Sequence, residues 1–314
     1  MNPIVSIAFS ISAIIAPLTN AGEVSLPPAE VHHTQQFDFV SSATHESYRV
    51  KVSIPHGHAP RGGFPVIYVL DGDLLFGTFA EAAGNEGKAA ERAPAVVVGI
   101  EGGEGKKGAD RTYDFTPKDL TPYEKQVVVD LGPNPRFGGY DAFFRAITDE
   151  IKPRVGRLVP VDVAHQSIVG WSLGGQFVVH TMLTHPEAFT NYVALSPALW
   201  RSGRAVFGEI DGFERTITSS RRTVNLFVGV GSLEEELSPG MLKWDIDQTR
   251  FAAEMKYARM VGNVRDLDAA LAPFFRSEGM AMESHIYLGD THNTVVWTAV
   301  NPVLRFLLDT DHPK

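Results

Sequence analysis

An α/β fold, with a mostly parallel central sheet and helices on both faces, is predicted by three features of the sequence. Short runs of apolar, often β-branched residues alternate with stretches of helical period, the pattern of strands joined by crossover helices. One such run, Ile168-Val169-Gly170, passes directly into a turn carrying Gly170, Ser172 and Gly174 that opens a helix-like stretch. A length of 314 residues, 44% of them hydrophobic and 21% charged, supplies a large core, and one domain over residues 37–310 is expected rather than two.

The elements follow in chain order. Residues 4–17 are apolar and lead to Thr19 and Ala21, which suit a signal-peptidase site, so residues 1–21 read as a possible signal peptide. The stretch is too short to span a bilayer comfortably, and no Lys or Arg precedes it. A periplasmic or secreted protein is expected, with a cytoplasmic one as the alternative. Residues 22–36 read as a loose leader, 48–54 as an early strand, and 66–70 as a core strand ending at Asp71-Gly72-Asp73. Residues 95–100 are continuously apolar, as in a parallel strand buried on both faces. From 101 to 139, glycines, prolines and charges without periodicity predict loops over one end of the sheet. The helical spacing over 140–151 puts Phe143, Phe144, Ile147 and Ile151 on one side. A strand over 167–170 precedes the turn at Ser172, and a helix over 175–185 follows it. Strands over 192–195 and 224–230 then flank a polar, arginine-bearing insertion with a short helix. A helix over 244–261, a strand over 282–288 and a helix over 296–308 complete the domain.

The Gly-x-Ser-x-Gly turn between a buried strand and a helix is the nucleophile elbow of the α/β-hydrolase fold. A serine at so sharp a corner needs close backbone approach on both sides, which Gly170 and Gly174 permit because they lack a Cβ. A serine hydroxyl is a poor nucleophile until a base takes its proton. In this fold the chain order is serine, acid, histidine. His292, in Gly289-Asp290-Thr291-His292-Asn293 just beyond the last strand, is therefore the candidate base. His285 lies within that strand, His180 and His185 on or near the helix after Ser172, and His312 in the polar tail. The acid that holds the imidazole tautomer falls in Glu234-Glu235-Glu236, after strand 224–230, with Glu234 first and Glu235 second. Asp245 and Asp247 stand at a helix start, where a carboxylate serves the exposed amides. Two backbone N–H groups should meet the oxyanion, that of Leu173 and that of Asp73, with Gly72 letting the second loop turn close to the elbow.

Other chemistries are disfavoured. A formal charge of -9 and the lack of a Lys/Arg-rich patch argue against nucleic-acid or anionic-membrane partners. The absence of cysteine removes disulfides, thiol nucleophiles and cysteine-ligated metals. Asp71 and Asp73 lack a neighbouring histidine or third ligand, so no metal is expected. Gly102-Gly103-Glu104-Gly105 lacks the full spacing of a phosphate loop, and no cofactor is implied.

Residues 40–308 resemble the esterase family of α/β-hydrolases that includes enterobactin-type siderophore esterases, esterase D, feruloyl esterases and the antigen 85 mycolyltransferases. The resemblance rests on Leu70-Asp71-Gly72, Arg111-Thr112-Tyr113-Asp114-Phe115-Thr116-Pro117, the Gly-Trp-Ser-Leu-Gly-Gly elbow and Gly289-Asp290-Thr291-His292. It implies a serine esterase, most similar to the branch that opens trilactone siderophores, with Glu234 as the family's acid. It also implies an arginine near the site, Arg111, whose fork suits catecholate or carboxylate oxygens. The structural alternative is an arginine pinning the long loop to Asp114 or Asp119. Trp171 and Trp200 are candidate flat walls for an aromatic group or else core packing, and 133–140 is a candidate cover. A small-molecule ester is the expected partner. The rival readings are a feruloyl or short-chain carboxylesterase, an acyltransferase, and a binding module without turnover.

Overall fold

Alternation along each strand sorts the apolar side chains onto two faces, and the fold is built by covering both. The computed structural model describes residues 31, 33–89, 92–103, 110–122, 124, 136–243, 245 and 247–309. Its strands are β1 (Thr34–Val40), β2 (Ser47–Ser53), β3 (Phe64–Leu70), β4 (Val96–Gly102), β5 (Val161–Trp171), β6 (Asn191–Leu195), β7 (Asn225–Gly231) and β8 (Met282–Tyr287). They form one sheet in the order β1-β2-β4-β3-β5-β6-β7-β8. β2 runs antiparallel to its neighbours β1 and β4, and every other pairing is parallel.

On one face Val66, Tyr68 and Leu70 of β3 join Ile168, Tyr192 and Val228 in a single buried cluster. On the other face Ile67 and Val69 join Val97, Val169, Val193 and Phe227. The first face is covered by α3 (Tyr140–Arg145), α4 (Lys152–Leu158), α5 (Leu173–Thr184), α6 (Ile210–Ser220) and, after α7 (Gln248–Ala258), by α8 (Met260–Ser277). The second is covered by α1 (Gly72–Lys88), α9 (Val295–Thr298) and α10 (Val300–Leu308). Each large apolar side chain removed from water in these layers contributes roughly 1.5–3 kcal/mol before chain entropy is charged against it. The predicted α/β-hydrolase architecture is the one observed. The chain leaves β3 toward β4 on one side and leaves β5 toward β6 on the other. This reversal opens a crevice beyond the carboxyl ends of β3 and β5, where ligands of α/β sheets bind.

Several elements differ from expectation. Thr34, Gln35 and Gln36, expected in the loose leader, already pair with Ser53, Val52 and Lys51. β1 is an edge strand with polar, exposed positions, so it carries no apolar run to read; the rest of the expected leader to residue 30 and the possible signal peptide lie outside the described residues. α1 fills a stretch with no predicted element, and Gly77, Gly84 and Gly87 within it dilute its helical pattern. The helix expected to end at 151 continues through a π-turn (Ala146–Ile151) into α4. The helix expected over 244–261 is α7 and α8, broken at Arg259 (φ 48°), and α8 runs on through Pro273. Trp244 is outside the described residues. Within 101–139 the described part holds α2 (Arg111–Asp114), capped by Asp110, whose side chain accepts from Thr112 and Tyr113 N–H.

α2 ends at a buried carboxyl, Asp114. The Tyr48 hydroxyl donates to its Oδ2 at 2.9 Å, while Oδ1 has no partner. Burial pushes this carboxyl up to about 8, with only part of the effect offset by the Tyr48 hydrogen bond. The folded value lies above the unfolded one of about 3.9, so the native chain holds a proton that the unfolded chain releases. That contribution to stability is complete below about pH 4 and is lost as pH rises toward 8. Asp114→Asn has no such proton to lose. Its stability relative to the parent, measured by urea unfolding, should rise between about pH 5 and pH 8; a difference that stays constant with pH would contradict this account.

Candidate active site

β5 delivers Ser172 to the crevice on a backbone that few residues adopt. Its φ of 59° and ψ of -117° lie outside the ordinary regions for a side chain with a Cβ. Three backbone bonds hold it there. Ser172 N–H donates to the Leu195 carbonyl at 2.9 Å, and the Ser172 carbonyl accepts from Gln176 and Ala198 N–H, both at 3.0 Å. The corner is possible because Gly170 and Gly174 meet backbone to backbone. A Cβ on Gly170 would lie 2.2 Å from the Gly174 carbonyl oxygen. Gly72 serves differently from expectation: a Cβ there would meet Ile100 N at 2.7 Å, so it permits close passage over β4, not toward Ser172.

The structure brings His292 and Glu234 to this corner. His292 Nε2 is 3.0 Å from Ser172 Oγ, and its Nδ1 is 2.7 Å from Glu234 Oε2. Glu234 is only 3% exposed, and its other oxygen accepts from the Gly231 N–H at 2.7 Å and from the Ser196 hydroxyl. A buried carboxylate with both oxygens engaged has little freedom to rotate. The loop bearing His292 is tied to the turn after β7, where Leu233 N–H donates to the Asp290 carbonyl and Gly289 N–H to Ser232 Oγ. Glu235 turns the other way and accepts from Gly262 N–H at the start of α8. Asp247 caps α7 through Arg250 N–H. His180 binds Glu209 and stacks on Tyr140, and His285 binds Glu283 and stacks on Phe227. His312 lies outside the described residues.

Leu173 opens α5 and Asp73 sits in the first turn of α1. N–H groups at a helix start have no carbonyl a turn earlier to accept from them. β3 and β5 are neighbours, so these two helix starts open side by side; the Asp71 carboxylate would lie 3.3 Å from a Cβ on Gly174. Asp71 is buried and is gripped by Arg111, whose Nε donates to Oδ1 and Nη2 to Oδ2, with Nη2 also 3.3 Å from the Trp171 carbonyl. Burial raises the Asp71 carboxyl from its ordinary value and Arg111 counters it. Arg111 thus ties its loop to Asp71 and not to Asp114 or Asp119.

A cavity of about 380 Å³ opens over Ser172. Its wall includes His292, Leu173, Arg111, Trp200 and Tyr257. Asp73 lies in the wall of a second cavity of about 370 Å³, which Arg111 also borders. Trp200 lines the first cavity, whereas Trp171 is absent from its wall: its indole N–H donates to the His292 carbonyl at 2.9 Å, and the two rings are 5.0 Å apart. Of the candidate cover at 133–140, only 136–140 are described. Sequence reasoning passed over Ser196, Tyr257 and Arg201 in this region. Arg201 directly follows Trp200, and that adjacency was the one available signal.

Comparison with known proteins agrees with this architecture. A family model described as "Putative esterase" matches residues 41–270. The chain is 31% identical over 274 residues to the ferri-bacillibactin esterase of Bacillus subtilis, covering 85% of this chain and 86% of that one. It is 30% identical to the siderophore triacetylfusarinine C esterase of Aspergillus fumigatus, covering 90% and 95% respectively. Among solved structures, a BES protein from Bacillus cereus superposes with a TM-score of 0.76 at 28% identity, covering 91% of this chain and 99% of its own.

The corner can be tested through its two glycines. Overpacking commonly costs about 1–3 kcal/mol, and at Gly170 the obstacle is backbone that cannot move aside. Gly170→Ala should cost about 3 kcal/mol or more, and Gly174→Ala, whose nearest neighbour is a carboxylate at 3.3 Å, clearly less. Equal losses in urea unfolding would refute this ranking.

Proposed function

Because the chain belongs to this esterase family and hydrolyses carboxylic esters, we propose that it is a serine esterase that opens the ester bonds of a siderophore, with Ser172, His292 and Glu234 as its triad. The observation that carries the assignment is the hydrogen-bonded line from Ser172 Oγ through both His292 nitrogens to Glu234, with spacings of 3.0 and 2.7 Å. The named relatives support the substrate class: one acts on ferri-bacillibactin and another on triacetylfusarinine C.

In the proposed mechanism Ser172 Oγ attacks the ester carbonyl while His292 Nε2 takes its proton. Glu234 holds the Nδ1 proton and stabilises the imidazolium without itself being protonated. The Leu173 and Asp73 backbone N–H groups meet the negative oxygen, and loss of one such donor costs about 3 kcal/mol in barrier. Collapse expels the alcohol, which receives the proton from His292 and leaves an acyl group on Ser172. Water then attacks that carbonyl, gives a proton to His292, and the acid departs as Ser172 regains its proton. Trp200 supplies an apolar wall for the bound ester, and Arg111, its charge met by Asp71, holds the Asp71 turn beside the site. Trp171 acts on the base by fixing the His292 backbone. The apolar stretch 4–17 followed by Thr19 and Ala21 supports export to the periplasm or medium. Among the described residues no helix is long and apolar enough to cross a membrane.

The decisive experiment offers the purified protein ferric and iron-free trilactone siderophores, feruloyl esters and short p-nitrophenyl esters, with products read by mass spectrometry. Siderophore ester cleavage is expected to dominate. Turnover of short esters with every siderophore left intact would overturn the substrate assignment. Ser172→Ala should lower turnover by a factor on the order of 10⁶ and abolish labelling by a fluorophosphonate probe; persistent hydrolysis would remove the nucleophile from the mechanism. Glu234→Gln should lower kcat by roughly 10²–10⁴ with KM little changed. An effect under tenfold would show that the carboxylate is dispensable.

A further inference from the structure

Arg201 is a cation in the wall of the Ser172 cavity whose two most buried nitrogens find no hydrogen-bond partner among the described residues. Its side chain is 12% exposed, and its Nε and Nη1 are sequestered without a hydrogen-bond partner. The guanidinium carbon lies 4.4 Å from the centre of the Trp200 ring. Among the described residues its ion-pair partner is Glu124, whose Oε1 is 3.8 Å from Nη1, too far for a hydrogen bond. Glu124 is already committed: its oxygens accept from Ser202 N–H at 2.9 and 3.0 Å and from Thr121 N–H at 2.8 Å. Burial lowers the proton affinity of Arg201, Glu124 partly restores it, and the charge of Arg111 lowers it further.

The contrast with Arg111 is informative. Arg111 has its charge met by two bonds from the Asp71 carboxylate. Arg201 is stacked on Trp200 and paired with Glu124 at 3.8 Å, but its Nε and Nη1 have no hydrogen bond. A guanidinium with two nitrogens unbonded is costly to bury, and because Arg201 lines the cavity, an anion there would add to the partial compensation from Glu124. Its position on the face of Trp200, with Tyr257 close by at 5.8 Å between rings, adds that the anion should be carried on a flat aromatic group.

We propose that Arg201 is a specificity-determining residue that reads negative charge on an aryl group of the substrate, so that this enzyme favours esters whose aromatic moiety is anionic over neutral ones of the same shape. A catecholate deprotonated by metal chelation, or an aryl carboxylate, has this chemistry. The inference rests on the hydrolase reading of the same cavity and assigns it a charge preference.

The test compares 4-carboxyphenyl acetate with 4-carbamoylphenyl acetate, a nearly isosteric anionic and neutral pair, by the ratio of their kcat/KM values. The parent should favour the anion at least tenfold, mainly through KM and less so at high salt. Arg201→Gln should bring the ratio close to one, and Arg201→Lys should keep part of the preference. A parent ratio near one, or an unchanged ratio in Arg201→Gln, would overturn the proposal. A parent that cleaves siderophores but neither aryl acetate would also overturn the proposal, whereas one that cleaves no ester at all would overturn the esterase reading. Should Arg201→Gln fail to fold, Glu124→Gln decides: removing the neighbouring negative charge should raise the anion preference, and an unaltered ratio would refute the role of Arg201.

Discussion

The structure depends on holding one serine in a backbone conformation it would not choose. Ser172 sits at φ 59° because β5 ends, α5 begins, and the Leu195 carbonyl and the Ala198 N–H secure the peptide units around it. Both of those partners lie in or just beyond β6, so the corner exists only when β5 and β6 are paired to their ends. The left-handed conformation of Asp71 (φ 52°) at the end of β3 makes a matching corner beside it. Two helices therefore begin next to each other at the place where the sheet changes its direction of winding. Such a site concentrates exposed N–H groups where a carbonyl oxygen would acquire charge.

The other half of the proposed relay is assembled from the opposite flank of the sheet. β7 and β8 are parallel neighbours, and the loops that follow them are tied together by the bond from Leu233 N–H to Asp290. This tie brings Glu234 to the Nδ1 edge of the His292 ring. The buried carboxylate accepts from Gly231 N–H, from Ser196 and from the imidazole, so its desolvation is balanced by hydrogen bonds and not by a cation. The imidazole thus stands between an apolar crevice and an anchored acceptor, as the proposed proton transfer requires.

Much of this was legible in the sequence because its demands are local. The elbow needs glycines two residues on either side of the serine, and the base needs a loop just after the last strand, so Ser172 and His292 stood out. Three consecutive glutamates look alike in one dimension. Only the turn that closes from Glu234 N–H to the Gly231 carbonyl aims one inward and sends its neighbour to Gly262. β1 escaped notice because an edge strand can be polar on most positions. The break between α7 and α8 escaped because Arg259 adopts a left-handed conformation with neither glycine nor proline to announce it. Arg201 was passed over for a different reason: that its Nε and Nη1 lack a hydrogen bond is a property of the folded surroundings, which its adjacency to Trp200 does not encode.

The indole of Trp171 donates across 121 positions of chain to the carbonyl of His292. The residue adjoining the proposed nucleophile therefore fastens the peptide that carries the proposed base. Displacement of the C-terminal segment would reach the elbow's own flank directly, through this one bond.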